Sequence, residues 1–107
     1  MPSSCIVVLT TLPSLSQAHR ISEQILKKRL AACVNVVGPV RSFFWWKGKI
    51  DRTSEHLLLI KTRASRFSRL RRFLERVHPY SVPEILALPI KAGNAPYLNW
   101  LRREVPS

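Results

Sequence analysis

The chain carries more apolar β-strand surface than one face of a small sheet can bury. Residues 43–46 read Phe-Phe-Trp-Trp, and after a turn signal at Lys47 and Gly48 the returning segment contains the apolar run 57–60. Successive side chains of a strand point to opposite faces, so each run places two apolar groups on each face. Helices can cover one face, and the other would be an exposed apolar patch that monomers rarely carry. We therefore expect an obligate homo-oligomer, with sheet faces packed together and hairpins embracing adjacent subunits.

Hydropathy and turn signals predict the element order βαββαβ followed by a C-terminal helix. The expected strands span residues 5–11, 33–46, 50–62 and 85–90, and the expected helices begin near Ser14, Phe67 and Ala95. Ser14 and Gln17 have the spacing of a capping box. The apolar stripe of the first helix consists of Ala18, Ile21, Ile25, Leu26 and Leu30. Gly38 and Pro39 break the second strand, and Pro89 makes the fourth an edge or bulged strand.

This order folds into a four-stranded antiparallel sheet with both main helices on one face, the α+β ferredoxin-like sandwich. A length of 107 residues fits one domain, and we expect residues 1–107 to form it. The hairpin of residues 40–62 could span roughly 40 Å, whereas a compact chain of this length has a radius of gyration of about 13 Å. The hairpin tip should therefore project beyond the body.

The 18 basic and six acidic residues give a net charge of +12. Such a surface attracts polyanions, whether nucleic acid, anionic lipid or acidic protein. Cys5 and Cys33 are too few for a disulfide scaffold or a Cys-rich zinc site. The start, Met1 to Ser4, lacks the basic region of a signal peptide, and no apolar run approaches the ~20 residues of a membrane span. We expect a cytoplasmic protein with free thiols.

Several segments of the chain together resemble the CutA family, which is named for divalent-cation tolerance. The matching segments are IVVLTT at 6–11, LAACV at 30–34, WKGK at 46–49, Glu55 with LIKT at 59–62, HPY at 78–80 with Pro83 and Glu84, and YLNWL at 97–101. Each segment is weak alone, but in this order they cover nearly the whole chain. The chain is therefore identified as a member of that family.

The resemblance implies a ferredoxin-like subunit in a tight homotrimer whose long hairpins interlock. It also implies kinship of shape with the PII signalling proteins, which bind small effectors in clefts between subunits. Family members are linked to tolerance of, or response to, copper and other divalent cations. No accepted catalytic activity comes with the family, so we expect no enzyme, and the only cofactor suggested is copper or another divalent cation.

His78 and Cys33 are the metal ligands that the resemblance suggests. Copper(II) prefers imidazole and copper(I) prefers thiolate. Some relatives also carry a Cys where this chain has Thr10 and a His where it has Val77, and both potential ligands are missing here. The alternative for Cys33 is a small buried apolar residue, and the alternative for His78 is a cap at a helix C-terminus.

A larger set of residues is expected, from the same resemblance, to converge in a cleft between subunits. It comprises Cys33, Trp46, Glu55, Lys61, His78, Tyr80 and Glu84. Burying Glu and Lys is costly unless they pair or meet a ligand. The set is therefore either a pocket for a small ligand or cation, or an ion pair between subunits that fixes the assembly.

Positive charge and sheet aromatics also fit a nucleic-acid-binding ferredoxin-like module, or a hairpin that stacks on bases or faces lipid. An RNA-recognition module carries its aromatics in a K/R-G-F/Y-G/A-F pattern, whereas here they end in the sequence WKGK. We therefore expect no specific nucleic-acid partner and no membrane partner. An enzyme is unsupported, because no nucleophile–base pair and no Gly-rich phosphate loop can be named.

Overall fold

The structure, a computed structural model, describes residues 4–107 and consists of one antiparallel sheet and three α-helices. The elements are β1 (Cys5–Leu12), α1 (Leu15–Lys27), β2 (Cys33–Trp46), β3 (Lys49–Arg63), a 3-10 turn (Ala64–Arg66), α2 (Phe67–Val77), β4 (Leu86–Pro89) and α3 (Ala95–Glu104). The strand order across the sheet is β2-β3-β1-β4. The predicted ferredoxin-like α+β fold is confirmed. The expectation drawn from the start of the chain falls partly on residues 1–3, outside the described residues.

One face of the sheet, here called the helix face, forms the main core. Leu58 and Ile60 of β3 lie beside Thr10 and Val8 of β1 and are fully buried. The same core contains Ile21 and Ile25 of α1 and Leu70, Phe73 and Leu74 of α2. Both main helices therefore pack on this face, as the crossover pattern predicts.

The other face, here called the open face, is apolar but poorly covered. Leu57 and Leu59 of β3 pair with Thr11 and Leu9 of β1, and all four are only half-buried. Leu86 and Leu88 on the edge strand β4 are 53% and 49% exposed. The run 57–60 thus divides between the two faces as predicted. The aromatic run 43–46 is exposed throughout, so a single chain leaves both this second face and the end of the hairpin largely uncovered.

The hairpin of β2 and β3 extends well beyond the body. The molecule measures 44 × 26 × 22 Å along its principal axes. Lys47 and Gly48 form the turn with φ values of 53° and 77°, the left-handed conformation that a two-residue hairpin turn requires. β2 is not broken at residues 38–39; the pairing register shifts there and pairing resumes at Val40 with Glu55. A β-bulge absorbs the extra residue, so the strand continues through a signal that predicted its interruption.

α1 follows its sequence signals except at its last turn. Ser14 is the N-cap, and its Oγ accepts a hydrogen bond from the Gln17 amide at 3.2 Å. Leu26, predicted in the buried stripe, is 40% exposed because it follows Ile25 by one position, about 100° around the helix. Leu30 is buried but lies beyond the end of the helix.

Replacing Ser14 by alanine should lower the free energy of unfolding by about 1 kcal/mol, because an amide at the start of α1 loses its cap. The measurement is a urea titration followed by circular dichroism. Ser16→Ala is the matched control, since Ser16 is exposed in the first turn and does not occupy the N-cap position. Equal losses in the two variants would contradict the capping role.

Candidate functional site

His78 connects the end of α2 to β1. The residue before a proline avoids the helical region, and His78, preceding Pro79, is extended with φ −70° and ψ 137°. Its Nε2 lies 2.8 Å from the carbonyl oxygen of Thr11, and its Nδ1 lies 3.1 Å from the amide nitrogen of Tyr80. A carbonyl can only accept and an amide can only donate, so the proton belongs on Nε2 and both ring nitrogens are engaged.

The surroundings of His78 favour the neutral ring. Its side chain is buried, and burial lowers its pKa below the ordinary value of 6.5. The hydrogen bond to Thr11 and the charge of Glu55 raise the pKa, but their combined effect is smaller. A neutral imidazole is also the form that can accept the Tyr80 amide proton.

Tyr80 and Glu55 form the centre of the candidate site. The Tyr80 hydroxyl donates to Glu55 Oε2 at 2.7 Å, and the Tyr80 ring lies 5.0 Å from the His78 ring. Burial, and then the Glu55 carboxylate, raise the pKa of Tyr80 to about 12. Glu55 is only 6% exposed, and among residues 4–107 it forms no ion pair. Burial of a carboxylate with one hydrogen-bond donor and no cation costs free energy, which a further donor or a cation would offset.

Glu55 and Tyr80 line a groove of about 750 Å³ between the hairpin and the loop that follows α2. The lining residues are Thr11, Ser42, Phe43, Phe44, Trp46, Asp51, Arg52, Thr53, Glu55, Tyr80, Val82 and Glu84. Three of the six carboxylates of the chain, those of Asp51, Glu55 and Glu84, are therefore in one groove. These three carboxylates outnumber the one basic lining side chain, Arg52, so in a chain of net charge +12 the groove is suited to a positively charged group.

The structure brings together most, but not all, of the predicted cleft residues. Trp46, Glu55, Tyr80 and Glu84 line the groove, and His78 lies directly beside Tyr80. The other two, Cys33 and Lys61, are paired on neighbouring strands. Lys61 is six residues further along β3 than Glu55, which is about 20 Å at the rise of a strand. Their convergence with the groove through another subunit stays a prediction.

Cys33 and Lys61 lie at the end of the open face, where α3 covers it. Lys61 Nζ is 5.9 Å from the centre of the Tyr97 ring. Burial, and the adjacent Cys33 thiol, raise the pKa of the Tyr97 hydroxyl. Cys33 is half-buried, and neither cysteine is part of a disulfide within residues 4–107.

Within the described chain, residues 4–107, no group of three or more His, Cys, Asp or Glu side chains is placed to hold a metal ion. His78 and Cys33, the suggested ligands, lie in the two separate groups described above. Thr10 is fully buried in the core with its hydroxyl unpartnered in residues 4–107, and Val77 packs against the core. Thr10 and Val77 therefore do not take over the role of the Cys and His metal ligands that some relatives are expected to have at these positions.

Three residues that contact the predicted site residues, or line the groove with them, are not in the predicted set. Thr11 contributes a backbone carbonyl, which any residue type would supply. Asp51 reaches the groove only because of the hairpin register, and Tyr97 meets Cys33 only because α3 folds back onto the open face. These contacts depend on tertiary placement, which local spacing does not encode.

The fold and this site define a ferredoxin-like α+β protein with a long projecting hairpin and an acidic groove along that hairpin. The family described as CutA1 divalent ion tolerance protein matches residues 6–104. The chain therefore belongs to the CutA1 family. Among described residues, no helix is long and apolar enough to cross a membrane.

Individual relatives agree with this assignment. Protein CutA of Homo sapiens is 43% identical over 107 residues, which are all of this chain and 60% of that protein. The chain thus spans less than two thirds of the human relative. A divalent cation tolerance protein from Thermus thermophilus superposes with a TM-score of 0.92 at 44% identity, covering 95% of this chain and 99% of that one. A protein from Archaeoglobus fulgidus, described as periplasmic divalent cation tolerance protein CutA, gives 0.92 at 40% identity with the same coverage.

Proposed function

We propose that residues 1–107 form a single non-catalytic domain that acts as a homotrimer in tolerance of divalent metal ions. Family membership over nearly the whole chain supports this role, since the relatives from Thermus and Archaeoglobus bear that description. It also favours this role over a nucleic-acid-binding module built on the sheet aromatics. We propose a cytoplasmic location, although the Archaeoglobus relative is described as periplasmic.

The single observation that carries the proposal is the buried Glu55 carboxylate in the groove. A buried charge is retained when a cation or a set of donors compensates it, and within residues 4–107 only the Tyr80 hydroxyl does so. The missing compensation is either a bound cation or small cationic ligand, or a basic side chain of another subunit. Lys61 is the candidate for the second case, since it lies on the open face that packs in the assembly.

The open face supports the oligomeric part of the proposal. Half-buried Leu57 and Leu59 are continuous with exposed Leu86 and Leu88, which gives an apolar surface too large for a lone subunit to leave in water. In the proposed trimer, these faces pack around the axis and the hairpins reach over neighbours. The groove along the hairpin then lies near a subunit boundary.

Light scattering after gel filtration should give the mass of three chains at every accessible protein concentration. The apolar area of the open face is the physical reason, because its exposure on dissociation costs roughly 25 cal/mol per Å². A concentration series by analytical ultracentrifugation provides the control for reversible association. A stable folded monomer would contradict the assembly and the shared groove.

Copper binding is expected to be limited to one modest site per chain. Both His78 nitrogens are engaged in the folded chain, so a metal must displace one of two hydrogen bonds to reach the ring. Calorimetric titration with copper(II) should show heat that disappears in His78→Ala and remains in His19→Ala, whose parent side chain is exposed on α1. Unchanged copper binding in His78→Ala would show that His78 is not a copper ligand.

A further inference from the structure

The outer side of the two main helices is strongly basic. Residues 15–28 and 64–77, which contain α1 and α2, hold eight basic and two acidic side chains. The basic ones are Arg20, Lys27, Lys28, Arg66, Arg69, Arg71, Arg72 and Arg76. Here they are called the basic helix surface. About a quarter of the chain thus carries half of its net charge.

Most of this charge is not neutralised inside the molecule. Arg71 pairs with Glu75 at 2.8 Å, and Arg66 Nε donates to the Pro106 carbonyl. The three arginines of α2 at positions 69, 72 and 76 are exposed and form no ion pair within residues 4–107. Their spacing of three and four residues places them along one side of α2, over about 10 Å.

The two helices contribute to one continuous surface at Phe73. Lys28 Nζ lies 5.7 Å and Arg76 Cζ lies 5.8 Å from the centre of the Phe73 ring. A lysine from the end of α1 and an arginine from α2 are therefore neighbours with no acidic side chain paired to either in the described residues. Juxtaposed like charges repel, and a multivalent anion relieves that repulsion at several of them together.

We propose that the basic helix surface binds the phosphate backbone of double-stranded nucleic acid, without sequence preference. Arginine predominates over lysine among these residues, and its planar guanidinium suits phosphate oxygens in a bidentate arrangement. Neutralisation of phosphates by such side chains releases counterions, which supplies affinity without base contacts. This role is separate from the groove and uses the opposite side of the sheet.

The composition of the surface distinguishes nucleic acid from a lipid membrane. Helices that bind membranes insert apolar side chains between the headgroups. α2 exposes no large hydrophobic side chain; Leu70, Phe73 and Leu74 are buried in the core, and its other apolar residues pack against that core. On α1, Leu15 and Leu26 are exposed, but they lie near opposite ends of the helix, about 16 Å apart along its axis, and form no apolar stripe. The exposed side of α2 is thus charged and has no apolar side chain that could insert into a membrane, which suits contact with a hydrated phosphate backbone.

The location of the surface keeps it available in the proposed assembly. α1 and α2 pack on the helix face, whereas the open face is the one expected to meet other subunits. Trimerisation through the open face would leave three basic helix surfaces directed outward. Binding through them does not depend on the occupancy of the acidic groove.

The test is fluorescence anisotropy with a labelled DNA duplex of mixed sequence, titrated between about 50 and 200 mM salt. The wild-type protein should bind at low salt and lose affinity steeply as salt rises, equally for unrelated duplex sequences. The R69Q/R72Q/R76Q variant should bind at least tenfold more weakly at low salt. Its slope of log affinity against log salt should be shallower by about two to three, because each lost phosphate contact removes about 0.9.

Two further variants make the result specific. K49Q/K91Q/R103Q removes the same charge from exposed positions outside the basic helix surface and should retain nearly wild-type affinity and slope. R69K/R72K/R76K keeps the charge and should keep the salt slope, which also separates charge loss from misfolding. Equal weakening in both glutamine variants would overturn the proposal, as would an unchanged slope in R69Q/R72Q/R76Q. Phosphatidylserine vesicles that bind as tightly, with the same arginine dependence, would overturn the assignment to nucleic acid.

Discussion

Replacing Leu59 by aspartate should convert the proposed trimer into folded single chains. Leu59 lies on β3 between Leu9 of β1 and Asn35 of β2, in the middle of the open face. An aspartate there can remain hydrated in a monomer, but in the assembly it would be buried without a partner. Because each trimer contains three copies, the cost is incurred three times. Light scattering should therefore report the mass of one chain instead of three.

The neighbouring position provides the matched control for that substitution. Leu58 is the next residue of the same strand, but its side chain is fully buried on the helix face. Leu58→Ala should lower the free energy of unfolding by about 2–5 kcal/mol through a core cavity. The mass of the native assembly should not change. If Leu58→Ala dissociated the protein and Leu59→Asp did not, the assignment of the two faces would be wrong.

The contrast between Leu58 and Leu59 also shows what the sequence could determine. Period-two alternation within a continuous apolar run is enough to predict two apolar faces, and the turn at Lys47 and Gly48 fixes the hairpin register. Strand and helix order follow from local signals of the same kind. At Gly38 and Pro39 the sequence predicts a break in β2, whereas the structure has a bulge. The sequence shows two residues that disfavour a strand, but it does not show that the partner strand accommodates them.

The site was less accessible to prediction, for a related reason. Tyr80 and Glu55 are 25 positions apart, and their contact depends on the His78 ring, which is fixed to a backbone carbonyl of β1. Every residue type has a backbone carbonyl, so the identity of Thr11 does not predict its contact with His78. The sequence therefore indicates which polar residues could form a site, but not which of them are in contact. The family resemblance groups Cys33 and Lys61 with the groove residues, yet a single chain places them at the far end of the sheet.

His78 is therefore best understood as the residue that positions Tyr80 against Glu55. Protonation of its Nδ1 would remove the acceptor of the Tyr80 amide and place a charge in a buried position. Its folded-state pKa lies below 6.5, so at lower pH the unfolded chain binds more protons than the native one. Stability from this group is complete above pH 6.5 and declines as the pH falls through the lowered folded-state pKa. Loosening of Tyr80 should accompany that decline.

Replacing His78 by alanine should cost about 2–4 kcal/mol of the free energy of unfolding, because it opens a cavity and leaves the Thr11 carbonyl and the Tyr80 amide unpartnered. Urea titrations at several pH values between neutral and mildly acidic would measure both the loss and its pH dependence. The decline of stability below pH 6.5 should be reduced in His78→Ala by the contribution of this ring. His19→Ala, which removes an exposed histidine of α1, is the matched control and should keep the stability of the wild type at neutral pH. An acid profile that is identical in His78→Ala and wild type would mean that another group controls it, and that His78 does not hold Tyr80 in the way its two hydrogen bonds indicate.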